Sequence, residues 1–270
     1  METDEELETG YGRGAPPGDN LCNDYVQGMA DAYGALAEAR GDRREDDDLA
    51  MAADSGTGSL FGNGVVLRRP VGAAEWPAVA ERLHGFYAGR PGGDFLVFSA
   101  WPTPDLRPLG FGLVGHPPLM LRPAGPVADE PVAGLEVAEV DGPEAAVAWE
   151  RTLVDGYPDP GLQPHVPGCV LPERALAAPG WRHWVGYLGG EPVATSSAFV
   201  GPHHVEVEFI STMPQARGRG VGRAVTVAAT LAAPDLPALL ISSDLGNGVY
   251  RRLGYQPLLR FTLWAGHRRP

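Results

Sequence analysis

Hydrophobic and polar positions along this chain change period several times, and each change marks an element. From Asn23, which can cap a helix, Tyr25, Met29, Tyr33 and Leu36 recur at helical spacing as far as about Arg40. An acidic patch, Glu45 to Asp48, and a Gly/Ser break, Ser55-Gly56-Thr57-Gly58, follow. The pattern then predicts a strand at Gly64 to Leu67, a helix from about Ala73 to Tyr87 and a strand at Phe95 to Phe98. From Trp101 to Gly125 the prolines are too dense for long regular elements, because each fixes φ and removes a donor.

A second series opens near Ala133. Leu135 to Val140 reads as a strand, Pro143 to Val154 as a helix, Gly156 to Pro167 as a loop and Pro172 to Ala177 as a short helix. Three strands follow with tight turns at Gly189-Gly190 and Gly201-Pro202: Trp181 to Leu188, Pro192 to Val200 and Val205 to Thr212. After them come a helix from about Gly220 to Ala232, a strand from Ala238 to Ser242, a helix from about Asn247 to Leu253 and a closing strand from Pro257 to Trp264. Hairpins followed by strand-helix-strand units predict an α+β class: a mixed, largely antiparallel sheet with flanking helices, preceded by a smaller N-terminal α/β region. The expected organisation is a mobile acidic tail over 1–20, the N-terminal region over 21–130 and the second domain over 131–270.

At 270 residues and 44% hydrophobic, the chain can bury a sizeable core. The net charge of −13 sits at one end: residues 1–60 hold 15 of the 34 acids and 4 of the 21 arginines, leaving 19 acids against 17 arginines in the rest. A nearly neutral body argues against nucleic acid as a partner. All basic residues are Arg and none is Lys, a compositional bias from which no mechanism follows. The acidic start, Met1 to Glu6, is unlike a signal peptide and no apolar run of 18 residues exists, so the expectation is a cytoplasmic protein with no membrane partner. Cys22 and Cys169 are too few for a disulfide framework or a zinc signature, and no metal is expected.

Two glycine-rich stretches compete as phosphate loops. Gly110-Phe111-Gly112-Leu113-Val114-Gly115 matches the dinucleotide fingerprint in letters, but Pro108 precedes it and His116-Pro117-Pro118 blocks a following helix, so a loop or bulged strand is the better reading. Thr212 to Arg223 has the missing context: it leaves an alternating strand, turns at Pro214 and enters an Ala/Val/Thr helix through Arg217-Gly218-Arg219-Gly220-Val221-Gly222-Arg223. Glycines let successive N–H groups share one concavity, and the helix N-terminus adds partial positive charge, which suits a pyrophosphate.

This segment resembles motif A of the GNAT acetyltransferases, R/Q-x-x-G-x-G/A after a strand-exit proline, at Arg217, Gly220 and Gly222. Val249-Tyr250-Arg251-Arg252-Leu253-Gly254-Tyr255 resembles the end of the same family's motif B. The resemblance covers roughly residues 131–270. It implies a GNAT fold, acetyl-CoA as cosubstrate and a small-molecule or peptide amine as acceptor, and it leaves a homodimer open. Ile210, Ser211 and Thr212 would hold the pantetheine arm, Arg217 to Arg223 would cradle the pyrophosphate, and Ser243 stands where many relatives have Asn. Tyr250 would protonate the leaving thiolate. Glu206 and Glu208 fall where several relatives carry a Glu or His base, and of the two Glu206 is the expected base. Read from alternation, Glu206, Glu208, Ile210 and Thr212 share one strand face.

His203-His204 is expected to be a turn-exposed pair, since neighbours on a strand face opposite ways. Tyr157, Asp159 and His165 lie in the loop that roofs the acceptor site in the family. The N-terminal region has neither motif and reads as a decayed second GNAT unit or a separate α/β cap. A non-catalytic acyl-CoA-binding module is the alternative to an enzyme.

Overall fold

A strand with an unbroken apolar run, such as Phe95 to Phe98 in Phe95–Ser99, must be covered on both faces, and this requirement organises the molecule. The computed structural model describes residues 21–60, 62–128, 130–157 and 159–269; the expected acidic tail at 1–20 lies outside them. In the N-terminal part α1 (Leu21–Arg40) is followed by β1 (Arg43–Asp46), β2 (Ala50–Asp54), β3 (Asn63–Leu67), α2 (Trp76–Tyr87), β4 (Phe95–Ser99), β5 (Phe111–Gly115) and β6 (Pro118–Arg122). The C-terminal part runs β7 (Leu135–Glu139), α3 (Pro143–Gly156), β8 (Trp181–Leu188), β9 (Glu191–Val200), β10 (Val205–Thr212), α4 (Val221–Thr230), β11 (Ala238–Ile241), α5 (Asp244–Arg252), β12 (Gln256–Arg260) and β13 (Thr262–Gly266).

The strands form two mixed sheets, ordered β1-β2-β3-β4-β13-β5 and β12-β6-β11-β10-β9-β8-β7. Each contains a single kind of parallel neighbour, β3 with β4 and β10 with β11, and every other pairing is antiparallel. From β8 onward the second sheet therefore repeats the first, strand for strand. The repeat is interlocked: β6 enters the second sheet between β11 and β12, while β13 enters the first between β4 and β5. The sequence boundary at 130/131 is thus not the boundary between the sheets.

One element was not anticipated and one expectation is corrected. The acidic patch at Glu45 to Asp48 belongs to a hairpin, β1 and β2, whose outer strand is largely exposed. Its charges suit a sheet edge, where they discourage pairing with other chains. The single closing strand from Pro257 to Trp264 is two strands in different sheets, separated at the fully buried Phe261.

Helix α1 lies in the seam. Tyr25, Met29 and Tyr33 pack with Val66 and Phe98 of the first sheet and Leu239 of the second, while Ala32 and Leu36 join Trp149 of α3 and Trp181 of β8. Helix α2 covers the other face of the first sheet through Trp76, Leu83 and Phe86. Helices α4 and α5 cover the other face of the second, through Val225, Val227 and Tyr250. Polar bonds also stitch the seam: the Trp181 indole N–H donates to the Ala32 carbonyl at 2.9 Å, and the Ser59 hydroxyl to the Asp159 carboxylate at 2.9 Å.

Candidate active site

Parallel strands β10 and β11 pair only at Val205 with Ala238 and Glu206 with Leu239, and then part. One cause lies within β10. It carries an extra residue relative to β9 between Glu208 and Ser211, with Phe209 at φ 51°, a left-handed conformation that is costly for a bulky side chain. This bulge leaves backbone of β10 unpaired toward β11 and opens a wedge between the strands. A cavity of about 320 Å³ begins there, lined by Val207 to Ile210 from β10, Ile241 at the end of β11 with Ser242 and Ser243 beyond it, and Tyr250 from α5.

The bulge also corrects the expected face of the strand. Glu208 pairs with Ser197 and Ser211 with Thr195, so Ser211, not Ile210 or Thr212, stays in phase with the two glutamates. Ser211 is buried against α3, near the Leu153 carbonyl at 3.5 Å. Thr212 faces α4: a Cβ at Gly222 would stand 2.8 Å from its hydroxyl. Ile210 packs with the cluster under α4 and α5.

The two glutamates have different surroundings. Glu208 lines the cavity. Burial, followed by the neighbouring Glu206 carboxyl, pushes its pKa up to about 8. Glu206 is fully buried against α1, where a Cβ on Gly28 would lie 2.5 Å from its Oε1, and it does not line the cavity. It hydrogen-bonds His204 Nε2 at 3.0 Å. Burial raises the Glu206 pKa well above the carboxylate range and lowers that of His204, so it disfavours the charged form of each. His204 is therefore a buried partner, correcting the expected exposed pair; only His203 is exposed.

Tyr250 is 7% exposed on α5 and its hydroxyl pKa is raised, mainly by burial, which keeps it a protonated donor. Gly246 makes room for the ring: a Cβ there would lie 2.5 Å from it. Ser243 caps α5, accepting from the Gly246 N–H at 3.2 Å, while it lines the cavity.

The glycine loop passes from β10 through a short 3-10 turn, Pro214–Ala216, into α4. Gly218 and Gly220 have φ of 73° and 82°, conformations open to glycine at little cost, and Gly220 is the N-cap of α4. Val221, Gly222 and Arg223 form the first turn of α4, where N–H groups lack intrahelical partners. A Cβ at Gly218 would meet nothing within 4 Å, so its flank is open. Arg217 turns back onto the Thr212 and Gly156 carbonyls at 3.0 and 2.9 Å, which fixes the loop to β10 and α3. Arg223 reaches the Glu130 carbonyl, and Arg219 is exposed. The parted strands and the open glycine turn fit a thiol-bearing arm attached to a diphosphate.

Of the roof residues, Tyr157 lines the cavity. Asp159 accepts from Ser59 and the Gly161 N–H, and His165 bonds the buried Glu150 at 3.0 Å; both hold loop structure. Sequence reasoning missed the wall given by the N-terminal part: Met29 and Tyr33 of α1, Leu60, and Leu96 and Phe98 of β4. Their only signal was an apolar stripe, which also describes ordinary core. The rejected glycine stretch at 110–115 is the edge strand β5. Among the described residues no group of three or more His, Cys, Asp or Glu side chains could hold a metal, and no helix is long and apolar enough to cross a membrane.

Several solved structures share the fold. A GCN5-related N-acetyltransferase from Kribbella flavida superposes with a TM-score of 0.67 at 21% identity, over 91% of this chain and 95% of that one. A putative GNAT-family acetyltransferase from Novosphingobium aromaticivorans does so with 0.55 at 16% identity, over 90% and 99%. A tandem GNAT protein from the clavulanic acid biosynthesis pathway gives 0.50 at 14%, over 93% and 97%. At these identities the likeness is one of fold. No curated protein matches the chain. Residues 146–255, in the C-terminal half of the chain, match the acetyltransferase (GNAT) family.

Proposed function

We propose that the protein is an N-acetyltransferase that moves an acetyl group from acetyl-CoA to a primary amine. The observation that carries the reading is that Glu208 and Tyr250 line the same cavity where β10 and β11 part. Acetyl-CoA supplies the activated acyl group as a thioester; the chain's own groups orient it and move protons. Backbone of Ile210, Ser211 and Thr212 flanks the arm, and the turn from Gly218 to Arg223 receives the pyrophosphate, with Ser243 at the opposite strand end.

An acceptor ammonium must lose a proton before it attacks, and Glu208 is the carboxyl beside the attack position. Its raised pKa makes it a stronger base once ionised. Tyr250 returns a proton to the departing sulfur. Glu206 supports the site from behind, through His204 and α1, and in this reading is not the base. The fold repeat supports treating the N-terminal part as a second GNAT-like unit that lacks the glycine turn and serves as a wall of the acceptor site. A non-catalytic acyl-CoA sensor would need no carboxyl and phenol converging on one cavity, so the enzyme reading is preferred.

The test is incubation with acetyl-CoA and a panel of primary amines, following released thiol and acetylated product by mass spectrometry. Acetylated amine in step with free CoA supports the proposal. Tight acetyl-CoA binding without transfer to any amine would leave the sensor reading in its place.

A further inference from the structure

The acceptor end of the cavity differs in chemistry from the glycine turn, and that difference narrows the amine. Its walls come from both halves of the molecule. Met29, Leu60 and Phe98 face it from the N-terminal part; Leu153, Leu162 and Val170 face it from the C-terminal part. Leu60 is only partly buried, and the other five sit in the two clusters that meet across the seam. Two phenols besides Tyr250, those of Tyr33 and Tyr157, also line it.

Charge is sparse. Among the described lining residues Glu208 is the one carboxyl group and Arg40 the one cation. Arg40 is committed elsewhere: it is 8% exposed, its Nε donates to Asp42 at 2.8 Å and its terminal nitrogen lies 2.6 Å from the same carboxylate. A carboxylate on an acceptor would thus enter an apolar chamber without a free counter-cation. A polycation would find one carboxyl for several charges. Unpaired charges in such a setting are costly. Of the lining hydroxyls, Ser59 bonds Asp159, Thr57 bonds Ser55 and Ser242 donates to the Ser243 carbonyl, which leaves chiefly phenols for a polyol that would give up many bonds to water.

Resting on the acetyltransferase reading, the geometry points to an acceptor that is a monocationic primary amine on an apolar aryl or alkyl body, with its nitrogen at Glu208 and its body between α1, β4 and the side chains of Leu162 and Val170. Tyr33 and Phe98, with ring centroids 6.3 Å apart and tilted, give an aryl group an edge-and-face surface. The tyrosine faces suit an ammonium on its way to the carboxyl.

The experiment measures kcat/KM with acetyl-CoA for phenethylamine, hexylamine, glutamate, spermidine and kanamycin, together with calorimetric binding of phenethylamine to the CoA-saturated protein. Phenethylamine and hexylamine are expected to exceed the other three by about 100-fold or more, since an unpaired charge or a set of unpaired hydroxyls loses its hydration in an apolar chamber and an alkyl or aryl body does not. Leu60→Ala should raise KM for hexylamine about 10-fold with kcat and the CoA-induced Tm shift unchanged. Equal or better turnover of glutamate, spermidine or kanamycin overturns the inference. If no amine is acetylated, saturable phenethylamine binding that Leu60→Ala weakens still upholds the apolar site while the transferase reading fails. Absence of both turnover and binding of the apolar amines overturns it.

Discussion

Replacing Glu208 by Gln removes the proposed base and keeps a side chain of the same shape. The pKa of about 8 means that at pH 7 only about one site in ten is ionised, against about nine in ten at pH 9. A positioned base contributes roughly 100- to 10,000-fold when it is in the active protonation state. The ratio of wild-type to Glu208→Gln kcat/KM should therefore rise about 10-fold between pH 7 and pH 9, from about 10 or more to about 100 or more, and level off above that. Taking the ratio matters, because the acceptor ammonium titrates too and its slope cancels between the two proteins. The assay is release of CoA thiol at subsaturating amine, with pH stepped from 6.5 to 9.5. A ratio that stays flat over that range refutes Glu208 as the titrating base, and a ratio near one removes it from the chemistry.

Other consequences are open to equally direct checks. The folded state binds the Glu208 proton more tightly than the unfolded chain, so wild type loses stability as pH rises from the ordinary carboxyl range through about 8; Glu208→Gln should lose less, and parallel Tm curves over pH 5 to 9 would contradict this. Glu206→Gln, at a residue that does not itself line the cavity, should retain turnover within about threefold, as read from kcat/KM at saturating acetyl-CoA; a loss of about 100-fold would return the role of base to Glu206. Tyr250→Phe should lower kcat by about one to two powers of ten with the CoA-induced Tm shift intact, because an alkyl thiolate with a pKa of roughly 8.5 already leaves well. Gly220→Asp should abolish that Tm shift by placing an anion at the pyrophosphate turn, whereas Gly220→Asn, which tolerates φ of 82° without the charge, should keep part of it; equal shifts in both would remove the turn from CoA binding.

What could be read from sequence follows from how locally each feature is encoded. The hairpins β8 to β10 were legible because apolar alternation ended at glycine turns, and the glycine loop because its residues stand next to one another. The β1 and β2 hairpin was not, since an edge strand of Arg43, Arg44, Glu45 and Asp46 carries the composition of a solvated loop. Nothing punctuates Leu258 to Trp264, so the step at Phe261 from one sheet to the other has no local mark. The exchange of β6 and β13 is a long-range event with no sequence signature of its own. The site suffered from the same limit. Alternation assigned Glu206 and Glu208 to one face correctly, but only the bulge at Phe209 determines that Ser211 follows them. Depth, rather than face, separates the two glutamates: α1 covers one, and the parted strands uncover the other.

The most direct measurement is an experimental structure of the protein with CoA bound. The account predicts the pantetheine arm between the diverging ends of β10 and β11, the pyrophosphate on the Gly218 to Arg223 turn, and the sulfur within hydrogen-bonding reach of the Tyr250 hydroxyl on the side that opens toward Glu208. CoA bound outside the wedge, or with its sulfur turned away from both Tyr250 and the cavity, would contradict it.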